Sequence, residues 1–196
     1  MKKVILAMAV IAISTATVNA QGRTNFGVKA GMTSANLKFS GFGANISTDS
    51  KIGFYGGVFA EIGISENFAV QPELLYSLLG AKSSDATNGD DKINLSYVSV
   101  PVLAKYIKDG LSIVLGPQIG FLVSAKEKTS GSNEDVKDDF ETTDISGVIG
   151  AGYTTISGFG FDARYQLGLS NIAKDSGGGK LKNNAFMFGV HYRFHH

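Results

Sequence analysis

The 196-residue chain has no cysteine, no tryptophan and only three prolines. The missing thiols exclude disulfide staples, a cysteine nucleophile, and Cys-ligated zinc or iron–sulfur sites. Charge of one sign is also missing: 18 Lys and Arg stand against 17 Asp and Glu, a formal net charge of +1 with no dense basic stripe. Nucleic acid is therefore not an expected partner. Beyond the first twenty residues there is no long hydrophobic run, and none approaches the roughly 20 residues a transmembrane helix needs. What is abundant is glycine, 25 residues, with 13 Phe and 7 Tyr. This is neither a disordered tail nor a helical bundle, and one domain is expected after any leader.

The first twenty residues carry the features of a secretory signal peptide. Lys2 and Lys3 form a positive start, Val4 to Ile13 an apolar stretch, and Val18-Asn19-Ala20 a small-residue cleavage site. Cleavage after Ala20 is expected to release residues 21–196 into an exported compartment as one domain. No cysteine follows the site, which excludes a lipoprotein anchor.

From Thr24 onward, alternating apolar and polar residues are broken by Gly, Ser, Asn and Asp clusters, an all-β texture. Eight strands are predicted: Thr24–Lys38, Lys51–Gly63, Asn67–Leu79, Lys92–Ile107, Leu111–Lys126, Thr142–Ile156, Phe159–Ile172 and Asn183–Phe194. Long polar connections (Phe39–Ser50, Gly80–Asp91, Glu127–Glu141, Ala173–Lys182) alternate with short turns (Ile64–Glu66, Lys108–Gly110, Ser157–Gly158). With antiparallel neighbours, the long loops share one end of the sheet, and the turns and both termini share the other. Transmembrane β-barrels have this asymmetry, with an even strand number.

The faces support an inverted reading. The last strand sets Phe186, Phe188, Val190, Tyr192 and Phe194 against Ala185, Met187, Gly189, His191 and Arg193. A soluble sandwich would bury the aromatic row. Strands of about 12 residues exceed the usual 5–6 of soluble proteins and suit a tilted bilayer crossing of 9–11. The polar face is Gly-rich and sparsely charged, as a narrow lumen requires.

Several segments carry a resemblance: the leader ending Ala20-Gln21, Phe26-Gly27-Val28-Lys29-Ala30-Gly31, Tyr97-Val98-Ser99-Val100-Pro101-Val102-Leu103-Ala104-Lys105-Tyr106, Gly116-Pro117-Gln118-Ile119-Gly120 and Tyr192-Arg193-Phe194. In this order they resemble the small porin-family outer-membrane barrels of Bacteroidetes, the PorT-like β-barrel domain. The resemblance implies an all-β, eight-stranded antiparallel up-and-down barrel of OmpA or OmpX size in the outer membrane, without assigned activity. It also implies that Tyr192 and Phe194 form the C-terminal signal read by the barrel-insertion machinery, although His195 and His196 follow. Relatives often carry Glu at the position of Ser99, so this lumen lacks one such charge.

With the apolar face outward, the lumen is expected to hold Lys29, Glu61, Gln71, Glu73, Lys105, Asp162, Arg164, Gln166, His191 and Arg193 as a packed network of salt bridges and hydrogen bonds. Catalytic, cofactor and metal sites are not expected. Glu61 and Glu73 could in principle split their acidities for acid–base work, but pairing with Lys105, Arg164 or Arg193 is the expected outcome. His191 falls on the polar face, away from where a lipid-modifying enzyme presents its base. No Gly-x-Ser-x-Gly elbow occurs, and Gly177-Gly178-Gly179-Lys180 lacks the following Ser or Thr of a phosphate loop. The acidic stretch Glu127–Asp144 and Asn88-Gly89-Asp90-Asp91 lack EF-hand spacing and read as solvated loop and turn.

Three functions stay open on the residues: a structural or surface-interaction barrel, a narrow small-solute channel, and a soluble exported barrel enclosing an apolar ligand. The first is preferred and is not an enzyme. Its expected surroundings are outer-membrane lipid and lipopolysaccharide, and the chain is expected to be a monomer. An extracellular ligand would be recognised at the long loops, where Phe39, Phe42 and Ile46 are the contact candidates.

Overall fold

The computed structural model describes residues 24–41, 44–47, 49–85, 89–129, 132–137, 140–174 and 180–194. Alternation of outward Phe, Tyr, Val, Ile and Leu with inward small and polar residues generates long strands. They are β1 (Thr24–Gly41), β2 (Ala44–Ser47), β3 (Asp49–Gly63), β4 (Phe68–Asp85), β5 (Gly89–Lys108), β6 (Leu111–Thr129), β7 (Ser132–Asp135), β8 (Thr143–Thr154), β9 (Phe159–Gly168) and β10 (Lys180–Arg193). Eight of them pair antiparallel in the order β1-β3-β4-β5-β6-β8-β9-β10, and β10 pairs back onto β1 to close a barrel.

The register fixes the barrel's shape. Stepping around it from Thr24 through Ile62, Val70, Ala104, Leu115, Ile149, Tyr165 and Phe186 returns to β1 at Ser34, ten residues further along the strand. A stagger of ten over eight strands tilts them by about 40° from the axis, given strand rise and spacing, and leaves an interior that side chains just fill.

Hairpin chemistry sets the short-turn end. Asp109 (φ 52°) and Gly110 (φ 82°) are both left-handed between the paired Lys108 and Leu111. This is the two-residue type I′ pattern that Asp-Gly favours, because its twist matches that of the strands. At the opposite end the structure corrects the expected loops. β1 and β6 run past their predicted ends, and β2 and β7 fold back on them as short hairpin extensions. β4 and β5 remain paired out to Asp85 and Gly89. Much of what the sequence presents as polar loop is thus strand, because paired backbone satisfies its own hydrogen bonds whatever the side chains are.

The faces follow the inverted arrangement. Phe186, Phe188, Val190 and Tyr192 are 54, 57, 47 and 44% exposed, whereas Lys29, Glu73 and Arg164 are 4, 4 and 5% exposed. Along β9 and one residue past its end the outward row runs from Phe159 to Leu169, roughly 25 Å of height at this tilt, the thickness of the apolar band of an outer-membrane barrel. Near the turn end Phe68 packs on Tyr106 in a tilted pair at 5.1 Å, and Tyr192 meets Phe194 edge-on at 5.5 Å, forming an aromatic rim. The Phe, Tyr and Leu row therefore cannot line an internal cavity, which removes the basis for an apolar ligand inside. No described helix is long and apolar enough to cross a membrane.

Candidate functional site

The lumen is built from inward positions of all eight barrel strands, and it divides into two layers. Towards the short turns, charged residues form one connected network. Arg164 on β9 donates through Nη1 to both carboxylate oxygens of Glu73 on β4, at 2.9 and 2.8 Å. Lys29 on β1 lies 3.4 Å from Glu73 and 3.6 Å from Asp162, with its ammonium 5.8 Å from the centre of the Phe59 ring. Arg164 Nε stands 2.8 Å from Asp162 Oδ1. That contact is an ion pair rather than a hydrogen bond, since neither atom has a well-aligned partner.

Asp162 also meets His191 Nδ1 at 3.2 Å, and His191 Nε2 lies 3.0 Å from Thr154 Oγ1. Gln71 links the two halves of the network: its amide donates to Glu73 at 2.6 Å, and its carbonyl accepts from Lys105 at 3.0 Å. Lys105 donates to Glu61 at 2.6 Å, and Arg193 donates to the other Glu61 oxygen at 2.9 Å. Nine of the ten residues expected in the lumen network are therefore joined. Gln166 is buried on the same face, 3% exposed, but takes part in none of these bonds.

Glu61 and Glu73 do not form an acid–base pair, because each is neutralised by cations of its own. Buried charges are tolerated only when paired and hydrogen-bonded in this way. His191 faces inward, its ring edge-on to Phe59 at 6.0 Å.

Towards the long hairpins the lumen is mainly apolar, with buried Asp144, which accepts from Ser170 Oγ at 3.0 Å, and Asn183 among its polar members. Leu37, Tyr55, Leu75, Leu79, Leu95, Tyr97, Leu122 and Met187 pack together, all under 5% exposed. Phe140 and Ile172 close the cluster from above. They reach it because the segment before β8 is tied down: Phe140 bridges Ala173, Glu141 N–H donates to Ile172 O, and Ile172 N–H donates to Leu181 O. This layer corrects the expectation of a wholly polar interior. The sequence carried a signal for it, since Leu75 shares the inward row of Gln71 and Glu73, and Phe140 is an apolar residue within an acidic segment.

Glycine makes the aromatic filling possible. At Gly189 an added Cβ would strike the Tyr55 hydroxyl and lie 2.7 Å from the Ala30 carbonyl oxygen, so Tyr55 lies across a wall position that only glycine leaves open. The void within the charged layer, lined by Lys29, Phe59, Gln71, Asp162, Arg164 and His191 among others, measures about 10 Å³, room for about one water. A second cavity of about 200 Å³ opens at the short-turn mouth beside Glu61, Lys105 and Arg193.

Among the described residues no cluster of three or more His, Asp or Glu is arranged to hold a metal ion. The predicted leader, Phe42, Asn88 and the glycine run 177–179 fall outside the described residues, as do the side chains of Phe39 and Ile46. Tyr192 and Phe194 face outward at the turn end, and Phe194 N–H donates to Phe26 O at 2.7 Å.

Comparison with known proteins agrees with this geometry. A family model described as outer membrane protein beta-barrel domain matches residues 19–174. No curated protein matches the chain in sequence. Neisserial surface protein A aligns in structure with a TM-score of 0.57 at 16% identity, covering 86% of this chain and 97% of that one. Ail, the attachment invasion locus protein of Yersinia pestis, aligns with a TM-score of 0.52 at 19% identity, covering 88% and 99%. Ail in complex with the heparin analogue sucrose octasulfate gives 0.51 at the same identity and coverage. At such identities the likeness shows a shared fold.

Proposed function

Because the chain belongs to the outer membrane protein β-barrel domain family, we propose that it is an integral outer-membrane barrel with a closed lumen and a structural or surface-interaction role. The family places it in the outer membrane. The observation that supports the closed reading is a lumen blocked above its short-turn mouth: the inner ion network leaves about 10 Å³ of space, and Leu75, Leu79, Leu95, Tyr97 and Leu122 fill the layer above it. A filled interior serves stability and leaves recognition to the outside. The strands are committed to lipid or lumen and the turns are small, so a ligand would be met at the long hairpin ends.

In this reading the leader is cleaved after Ala20, Tyr192 and Phe194 present the insertion signal, and the barrel sits as a monomer among lipid and lipopolysaccharide without catalysing a reaction. The motifs from Phe26 to Phe194 support its placement among the PorT-like barrels of Bacteroidetes. Fractionation followed by electrophoresis with and without boiling tests the proposal. An outer-membrane protein whose mobility shifts on heating is expected. A protein recovered from periplasm or medium with no heat shift would refute it.

A further inference from the structure

The lumen charges separate into two groups that differ in balance and exposure. In the inner group Lys29 and Arg164 face Glu73 and Asp162, two cations against two carboxylates, with side chains no more than 7% exposed. In the outer group Lys105 and Arg193 share the single carboxylate of Glu61. The outer group therefore holds one cation in excess, and it is this group that borders the cavity of about 200 Å³ at the short-turn mouth.

The arrangement within that group points the excess at the cavity. Glu61's side chain is 5% exposed and Arg193's is 22%, so the carboxylate lies behind and the guanidinium in front. Arg193 spends one nitrogen on Glu61, while its Nε is buried and has no hydrogen-bond partner among the described residues. A guanidinium carries five N–H donors in a fixed fork suited to two oxygens of one anion. Low-dielectric walls on a cavity of this size strengthen its attraction for an anion. The nearby hydroxyls of Ser112, Thr154 and Thr155 are already bonded to Gly152 O, His191 Nε2 and Phe159 O. Recognition therefore rests on the two cations.

We propose that the short-turn mouth of the lumen binds a small oxyanion, a carboxylate or phosphate group, held by Arg193 and Lys105 with Glu61 as the internal counter-charge. The shape limits the ligand to a compact head, because the ion network closes the path inward. A free anion and the headgroup of an acidic lipid share this chemistry. The site requires only the barrel mouth and is independent of what the long hairpins recognise.

The test uses the full-length protein in maltoside micelles, which contain no phosphate, at constant ionic strength. Inorganic phosphate, and separately phosphatidylglycerol, is titrated while the Arg193 Nε–H resonance is followed by NMR. Saturable movement of that resonance is expected. Saturation by phosphate alone identifies a free anion, and saturation by the lipid at lower concentration identifies a headgroup. Arg193→Gln and Lys105→Gln, followed through neighbouring backbone amides, should each weaken binding by about tenfold or more, the loss of one charge-assisted contact. Glu61→Gln should tighten it by removing the competing carboxylate, an effect that general destabilisation does not mimic. Should Arg193→Gln fail to fold, as judged by the heat shift, Lys105→Gln and Glu61→Gln decide the matter. Non-saturable shifts with both ligands, or binding unchanged in the lysine variant and not tightened by Glu61→Gln, would overturn the proposal.

Discussion

Glu73 is the residue on which the inner charge network turns. Its carboxylate accepts two bonds from Arg164, one from Gln71 and one from Lys29, and its side chain is fully buried. Glu73→Ala would leave Lys29 and Arg164 facing Asp162 alone, two buried cations for one carboxylate. Breaking a buried pair by removing one partner costs about 3–5 kcal/mol, whereas replacing both partners by apolar residues of similar volume is often neutral. Glu73→Met combined with Arg164→Met keeps Lys29 opposite Asp162 and should recover most of that loss. With Glu73→Met and Arg164→Met as the single variants of the cycle, a coupling energy of about 2 kcal/mol or more between the two sites is expected from their direct contact. Urea unfolding of the barrel refolded in liposomes measures it. The chain has no Trp, so the transition is followed by far-UV circular dichroism and heat-shifted mobility. A Glu73→Ala cost under about 1 kcal/mol, or a double variant as unstable as the sum of its parts, would show that the lumen is wet and screened rather than a closed ionic core.

Other consequences can be measured in the same system. Val190→Arg on the outward row should destabilise the barrel, by about 2–4 kcal/mol if it lies near the bilayer midplane and less towards the interface. Gly189→Leu on the inward row should prevent folding by colliding with Tyr55 and the Ala30 carbonyl oxygen; tolerance of Gly189→Leu alongside loss of folding in Val190→Arg and Val190→Leu alike would contradict the assigned packing. Leu75→Ala, in the apolar layer at 2% exposure, should cost about 2–5 kcal/mol in urea unfolding. Protease added to intact cells should cut only at the long-hairpin end, and mass spectrometry of the fragments would expose an inverted barrel through cuts at Asp109–Gly110 or Ser157–Gly158.

Much of the fold was legible because a barrel strand must alternate along its whole length, lipid on one side and lumen on the other. The eight predicted strands correspond to the eight that close the barrel, and Lys29, Glu73, Asp162 and Arg164 fall on the inward face by parity alone. Strand ends were less legible. β2 is Ala-Asn-Ile-Ser, only four residues and too short for its alternation to stand out, and β7 is Ser-Asn-Glu-Asp, polar throughout and without a periodic signal.

The apolar upper lumen was missed for a different reason. Parity gives the face of Leu75, Leu79 and Leu122 but not their height, and height decides which of them meet Phe140 and Ile172. In β6 the register against β5 shifts at Val123, so the inward row passes from even positions, ending at Leu122, to Ala125, and strict alternation does not carry through that strand. Nor does parity reveal partners. That Arg164 reaches Glu73, 91 residues away in sequence, depends on the ten-residue stagger of the barrel.

Conductance across a planar bilayer tests the central claim of a filled lumen most directly. With the purified barrel inserted, the charged layer and the apolar layer above it should hold the current at baseline, without stable steps, over the voltage range used for porins. Reproducible, ion-selective unitary steps from the wild-type protein would contradict the closed lumen and make the chain a small-solute channel.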